Sequence, residues 1–279
     1  MDNLENDKII VTGSRGYLGK RVISKLIKNK IQFIALGRKK NRINCDLLNK
    51  KKTIKIINLY NPKLLIHCAA NVPKKKDDYN DLIKNKQNLV MFKNVLASKV
   101  KQIIFISSIS VYGDQSIGKE KIVKEKKVNL YGSYKIKCEK LCYKRKNKKI
   151  LILRLPGLFG VNRKNGIIYR TIKKIKSKKK ITFTESFPKW HALHVDDAAA
   201  AILFYAKKKI YKTKIINIGY DQKISLAKTI EKIFSMFNKN IKFKKYNNFY
   251  LELKNLHNTY GKLKNIFYHR LIELKKEIN

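Results

Sequence analysis

A β-branched run, Lys8 to Thr12, ends directly in Thr12-Gly13-Ser14-Arg15-Gly16-Tyr17-Leu18-Gly19, and a periodic helix then runs through about Lys28. Three glycines at this spacing, between a strand and a helix, leave few folds open. Gly13 permits a tight turn, Gly16 lets backbone approach a pyrophosphate, and Gly19 allows close contact between helix and strand. The helix N-terminus then offers unpaired N–H groups and a partial positive charge to phosphates. A tight strand-to-helix turn also calls for glycine on its own account, but the position after the first strand favours a dinucleotide loop made by Gly13, Ser14, Arg15, Gly16, Tyr17, Leu18 and Gly19. The fold class expected is α/β, a Rossmann-type doubly wound parallel sheet.

Downstream segments keep the alternation. Strand-like runs at Gln32 to Leu36, Ile43 to Asp46, Leu64 to Ala69, Ile103 to Ser107 and Ile150 to Leu155 are separated by helical patterns at Thr53 to Asn58, Asp81 to Ser98 and Tyr131 to Tyr143. Strands alternating with helices imply a parallel sheet covered on both faces. After Leu155 the pattern loosens, with helices expected at Tyr169 to Ser177, Ala198 to Lys207, Ser225 to Phe237 and from Ile266 onward. Short strands are expected at Ile181 to Thr184 and Lys214 to Ile218. Residues 1–160 read as a nucleotide-binding domain. Residues 161–279 read as a mixed segment that completes the sheet and forms a smaller C-terminal substrate-binding lobe.

Charge tempts towards a different conclusion. The chain of 279 residues carries 66 Lys+Arg against 19 Asp+Glu, a formal charge of +47. Only nine of those cations are arginine, and the lysines are spread along the chain in runs such as Lys50 to Lys52, Lys74 to Lys76 and Lys178 to Lys180. A nucleic-acid surface favours clustered charge, arginine and interleaved aromatics. Lys, Ile and Asn share A/T-rich codons, so the charge reads as compositional bias and no specific nucleic acid is expected. It would still attract phosphorylated substrates. A hydrophobic fraction of 44% excludes global disorder. No apolar run approaches the roughly 18 residues of a membrane span, and Met1 to Asp7 hold no signal-peptide core. A soluble, cytoplasmic protein is expected, with no membrane partner. Cys45, Cys68, Cys138 and Cys142 do not make a disulfide framework, and no metal site is expected.

Two further patterns carry chemistry. The second strand ends in Gly37-Arg38-Lys39-Lys40, with no carboxylate to hold the ribose 2′-hydroxyl of NAD. Arg38 and Arg15 would instead face a 2′-phosphate, so the cofactor is NADP or NAD, with NADP favoured. In Tyr131-Gly132-Ser133-Tyr134-Lys135, Tyr131 and Lys135 are four apart and share a helix face. A nearby ammonium and the cationic oxidised nicotinamide would both favour its phenolate and lower the phenol's pKa from its usual value of about 10. Ser107-Ser108 closes the preceding strand and offers a hydroxyl to the same substrate oxygen.

With these motifs in order the sequence resembles the extended short-chain dehydrogenase/reductase superfamily, specifically its NAD-dependent epimerase/dehydratase family of nucleotide-sugar enzymes. Further matches are Asp46-Leu47, His67-Cys68-Ala69-Ala70, Asn88, Ser107 to Gly113, Arg154 to Gly160 and His194-Val195-Asp196-Asp197. The resemblance implies Tyr131 as catalytic acid/base, Lys135 as the residue that binds the nicotinamide ribose and tunes Tyr131, and Ser108 as a holder of the reacting oxygen. It places Asp46, Leu47, Cys68, Ala69, Ala70, Asn88, Ser107 and Pro156 at the cofactor. Substrate would meet Val72, Ser108 and Gly157, with Arg163, Lys164, Lys189 and His191 as basic partners for a diphosphate. Asp196 and Asp197 read as a helix N-cap.

Departures from the family narrow the reaction. Ser108-Ile109-Ser110 stands where dehydratases carry Thr-Asp-Glu, which disfavours dehydration. Gly157 stands where many 4-epimerases carry Asn. The expected activity is an NAD(P)-dependent nucleotide-sugar epimerase or 4-keto-sugar reductase, moving hydride at a sugar carbon of a nucleoside-diphosphate sugar. The alternative is a non-catalytic NAD(P)-binding sensor or nucleic-acid-associated protein on the same fold. Family members often pair through long helices, which implies a possible homodimer through Asp81 to Ser98 and Tyr131 to Tyr143.

Overall fold

The computed structural model describes residues 8–38, 43–115, 117–125, 127–179, 181, 190–221, 225–243, 250–260 and 266–278. The first strand, β1 (Ile9–Thr12), leads through the glycine loop into α1 (Tyr17–Lys28), β2 (Phe33–Gly37) and β3 (Ile43–Asn44). Next come α2 (Lys50–Tyr60), β4 (Leu64–His67), a 3-10 turn at Asp77–Asn80, α3 (Leu82–Leu96) and β5 (Gln102–Ser108). A second 3-10 turn (Ile109–Tyr112) and β6 (Ile117–Gly118) precede α4 (Leu130–Lys144), β7 (Lys149–Leu155) and β8 (Gly157–Phe159). The remainder holds α5 (Ile167–Lys176), β9 (Ala192–His194), α6 (Val195–Ala206), β10 (Lys214–Asn217), α7 (Leu226–Ser235), β11 (Tyr250–Leu251), α8 (Lys254–Thr259) and α9 (Phe267–Glu277).

Seven strands make one parallel sheet in the order β10-β7-β5-β4-β1-β2-β3. Strand order reverses between β1 and β4, and in such sheets a crevice opens beyond the strand C-termini at the reversal. Side chains alternate between two cores with a period of two. Ile9 and Val11, Leu64 and Ile66, Ile104 and Ile106 face the core that includes α1 and α6. Ile10, Leu65, Ile103 and Phe105 face the opposite core, shared with α3 and α4. Both faces are covered, so these strands are apolar along their whole length rather than alternating with polar residues.

The expected strands and helices of the first half appear with small shifts at their ends. The helix expected from Thr53 begins earlier, at Lys50, because Asn49 caps it by accepting from Lys52 N at 2.9 Å. Two short parallel ribbons, β6 with β11 and β8 with β9, and the short α8 were not expected. Elements of two to six residues are too short to display a hydrophobic period. Most of the strand expected at Ile181 to Thr184 lies outside the described residues. The N-cap assigned to Asp196 and Asp197 belongs earlier in the chain: His194 caps α6, its ring nitrogen accepting from Asp196 N at 3.3 Å. Asp197 instead lies buried, paired with Arg270 at 2.7 Å and accepting from the Tyr220 hydroxyl at 2.5 Å.

Candidate active site

Thr12 and His67 sit at the C-terminal ends of β1 and β4, paired across the strand-order reversal, with Thr12 Oγ1 and His67 Nδ1 2.9 Å apart. Immediately beyond, Gly13 takes φ +64° against Ala69, where a Cβ would lie 2.6 Å from the Ala69 backbone. Only glycine combines that backbone conformation with that approach. At Gly16 a Cβ would meet, among the described residues, only Gly13 O, at 3.1 Å. Gly16 is also the N-cap of α1, which has no side-chain cap and no acidic residue in its first turn. Its first N–H groups are therefore available, and the cradle fits a pyrophosphate.

Around this loop the expected cofactor residues separate into two kinds. Cys68, Ala69 and Ala70 follow β4 half-buried beside Gly13. The stem of Arg15 lies over Gly37, where a Cβ would be 3.7 Å from Arg15 Cγ, and Arg38 is exposed next to it. Both arginines thus lie at the end of β2, while Lys39 and Lys40 lie outside the described residues. Other residues serve the loops themselves. Ser14 Oγ donates to Leu36 O at 3.0 Å, and Leu18 packs into the core. Leu47 is a core residue, and Asp46 accepts from Leu48 N at 3.1 Å. Asn88 uses both ends of its amide on the Asn71 backbone, at 2.6 and 3.2 Å, so it shapes the 69–72 loop. Ser107 is buried and donates to Glu139 at 2.6 Å. Pro156 is buried at the end of β7.

Tyr131 and Lys135 stand on one face of α4, both buried. The Lys135 ammonium donates to Ile106 O at 2.8 Å and lies 5.8 Å from the Tyr131 ring centre. Ser108 is half-buried at the tip of β5, and its hydroxyl is 3.1 Å from the Ser110 hydroxyl. One expectation is corrected. Burial raises the Tyr131 phenol well above its ordinary value, Tyr79 adds to the rise, and Arg163 alone opposes it. Burial lowers the pKa of Lys135 as well. The chain's own groups therefore hold the phenol protonated, because desolvation of a phenolate outweighs the nearby cation.

A cavity of about 450 Å³ opens between the 73–79 loop and the segment from Gly157 to Arg170. Tyr79 lines it and presents its ring edge-on to Tyr131, with centroids 6.1 Å apart. Lys74, Lys75, Lys76, Arg163 and Arg170 bring positive charge to its walls. The Arg163 guanidinium also lies 5.3 Å from the Tyr17 ring centre, and the Tyr17 hydroxyl is buried without a hydrogen-bond partner among the described residues. Gly157 lines the cavity, Val72 is exposed, and Lys164 is exposed. Lys189 lies outside the described residues. His191 does not belong with these cations: it is 2% exposed, and burial lowers its pKa to about 4. A neutral imidazole in the core cannot neutralise a diphosphate.

Sequence reasoning missed Tyr79, Arg170 and Trp190, which also lines the cavity. No motif marks them, and the Lys74 to Lys76 run had been set aside as background. Among the described residues no group of three His, Cys, Asp or Glu could hold a metal, and no helix is long and apolar enough to cross a membrane.

Known proteins resemble the chain in sequence and in fold. The description "NAD dependent epimerase/dehydratase family" matches residues 9–219. The methionine adenosyltransferase 2 subunit beta of Pongo abelii is 25% identical over 228 residues, 76% of this chain and 66% of that protein. The chain thus spans just under two thirds of that relative's length. A putative UDP-glucose 4-epimerase of Methanocaldococcus jannaschii is 26% identical over 255 residues, 78% of each chain. Among solved structures, UDP-N-acetylglucosamine 4-epimerase from Bacillus cereus superposes with a TM-score of 0.77 at 23% identity, covering 97% of this chain and 96% of that one. At that identity the superposition establishes the fold.

Proposed function

The chain belongs to the NAD dependent epimerase/dehydratase family, and from that premise we propose that it is an NAD(P)-dependent nucleotide-sugar epimerase or 4-keto-sugar reductase. The observation that carries the reading is the placement of Tyr131, Lys135 and Ser108 at one end of the sheet, beside a cavity walled by Tyr79, Arg163 and Arg170. Residues 1–160 would hold the cofactor and residues 161–279 most of the sugar nucleotide.

The glycine loop and the uncapped start of α1 would hold the pyrophosphate, and Arg15 with Arg38 would hold a 2′-phosphate, favouring NADP. A bound nicotinamide supplies or accepts the hydride. Ser108 orients the sugar oxygen towards Tyr131. A protonated Tyr131 gives its proton to a carbonyl oxygen as hydride reaches the adjoining carbon, so the C=O bond becomes an alcohol. Run in reverse, the phenolate takes the hydroxyl proton. Lys135 fixes the geometry of this face. Burial keeps the phenol protonated, which suits the reductive direction. Ser108-Ile109-Ser110 provides no carboxylic acid to protonate a leaving hydroxyl, which speaks against dehydration. The cationic wall at Arg163, Arg170 and Lys74 to Lys76 suits the diphosphate. A homodimer would form through α3 and α4, which pack side by side.

A second reading is a cofactor-binding subunit without turnover of its own. It is favoured by the similarity to a protein named as the beta subunit of an adenosyltransferase. A panel of nucleotide sugars and 4-keto sugars, followed by NAD(P)H absorbance and product stereochemistry, separates the readings. Net cofactor consumption indicates a reductase and interconversion without consumption an epimerase. Tyr131→Phe should reduce turnover about 1,000-fold, within the usual range for a proton-transfer group. Equal rates in the variant would remove Tyr131 from its role, and binding of NADP without turnover of any sugar would favour the subunit reading.

A further inference from the structure

Behind the catalytic face lies an ion pair with no exposure to solvent. Glu139 and Arg154 are both 0% exposed. Tyr131, Lys135 and Glu139 occupy successive turns of one buried stripe of α4. The Glu139 carboxylate accepts from Arg154 Nε at 2.9 Å, from Arg154 Nη2 at 2.5 Å and from Ser107 Oγ at 2.6 Å. Arg154 places its remaining donors on the Tyr112 hydroxyl at 2.9 Å, Lys119 O at 3.1 Å and Lys121 O at 3.0 Å. All five of its N–H groups are therefore engaged. A core pair of this kind is weak evidence for stability, since desolvation offsets much of the attraction. Its reach suggests a different role.

From Tyr112 the contacts continue. Its hydroxyl donates to Asn217 Oδ1 at 2.6 Å. Asn217 is itself fully buried and donates to Gly118 O at 2.8 Å, Glu252 O at 2.9 Å and, from its backbone, to Glu120 at 2.8 Å. Glu120 also accepts from Asn255 N at 2.9 Å, and Glu120 N donates to Glu252 at 2.8 Å. One connected polar network thus runs from β5 and α4, through β7 and β10, to the β6–β11 ribbon and the start of α8.

We infer that Glu139 and Arg154 are positioning residues that lock the Tyr131–Lys135 face of α4 against the Ser107–Ser108 strand end and couple it, through Tyr112 and Asn217, to the 250–255 segment. The inference rests on the proposed activity for its catalytic consequence, though not for the coupling itself. A shift of the C-terminal segment then moves the catalytic helix, because Asn217, Tyr112, Arg154 and Glu139 are all buried and join the two in one continuous run of hydrogen bonds.

The test uses the full chain with Glu139→Gln, Arg154→Lys and Asn217→Leu. Amide hydrogen exchange of residues 130–139 is read relative to β4, alongside kcat, KM and the Kd for NADPH. Coupling predicts that Asn217→Leu, remote from α4, speeds α4 exchange at least tenfold relative to β4, as Glu139→Gln does. It also predicts that kcat falls tenfold or more while the NADPH Kd stays within threefold, with Arg154→Lys in between. Loosening confined to 113–121 and 250–255 in Asn217→Leu, with α4 still protected, would overturn it. Wild-type kcat in a folded Glu139→Gln would overturn it equally. Should Glu139→Gln not fold, the other two variants decide. A wild-type protein inert towards every sugar would count against the proposed activity, while exchange alone would still decide the coupling.

Discussion

Replacing His191 should change how the protein responds to acid. Its pKa is lowered to about 4 from an ordinary 6.5, with burial as the largest cause and hydrogen bonds to the Ala192 and Tyr220 backbone opposing it. The folded value lies below the unfolded one, so between pH 6.5 and 4 the unfolded chain binds more protons. Stability is fully present above pH 6.5 and is lost as pH falls through that window. At about 1.4 kcal/mol per pH unit of difference, titration of this one ring costs about 2.5 kcal/mol on going from pH 7.5 to 4.5. Urea unfolding of wild type and His191→Gln at both pH values measures the difference. The variant is expected to be less stable at pH 7.5, having lost core packing, but to lose about 2.5 kcal/mol less on acidification. An identical acid sensitivity in the two proteins would refute the assignment of His191 as a neutral core residue, and would reopen its candidacy as a cation at the sugar diphosphate. His67, lowered by burial to about 3, should behave the same way.

Gly19→Ala places a methyl against Gly13 O and the Gly13 carbonyl carbon, which cannot yield without moving the loop. NADPH binding by fluorescence should weaken at least tenfold, with a stability loss of about 1–3 kcal/mol by thermal unfolding. Arg38→Asp should weaken NADP at least tenfold, about 1.4 kcal/mol, while NAD stays within threefold; equal effects on both would remove the 2′-phosphate argument. Tyr79→Ala exposes Tyr131 and opens the cavity wall, so sugar KM should rise about tenfold with the cofactor Kd unchanged. Because burial is the largest cause of the raised Tyr131 pKa, the phenol should also titrate lower by NMR in that variant.

What the sequence determined on its own is the part set by local backbone chemistry. The Thr12 to Gly19 loop demands glycine where the chain turns at φ +64° and approaches Ala69, and runs such as Leu64 to Ile66 alternate between two cores with the strand period. Those signals are read within a few residues of one another, which is why the parallel sheet, the glycine loop and the Tyr131–Lys135 face were all legible. Burial and long-range pairing were not. His191 looked like a basic ligand and is a neutral core residue. His194, not Asp196 or Asp197, caps α6. Arg154 and Glu139, 15 residues apart in sequence, prove to be one desolvated pair. Tyr79 carried no motif, and only the packing of its loop sets it against Tyr131. In a chain of net charge +47 a single lysine carries almost no information by its type. Its meaning depends on how much water it loses and which partner it meets. Those two quantities exist only once distant segments have come together, so the tertiary structure alone decided them.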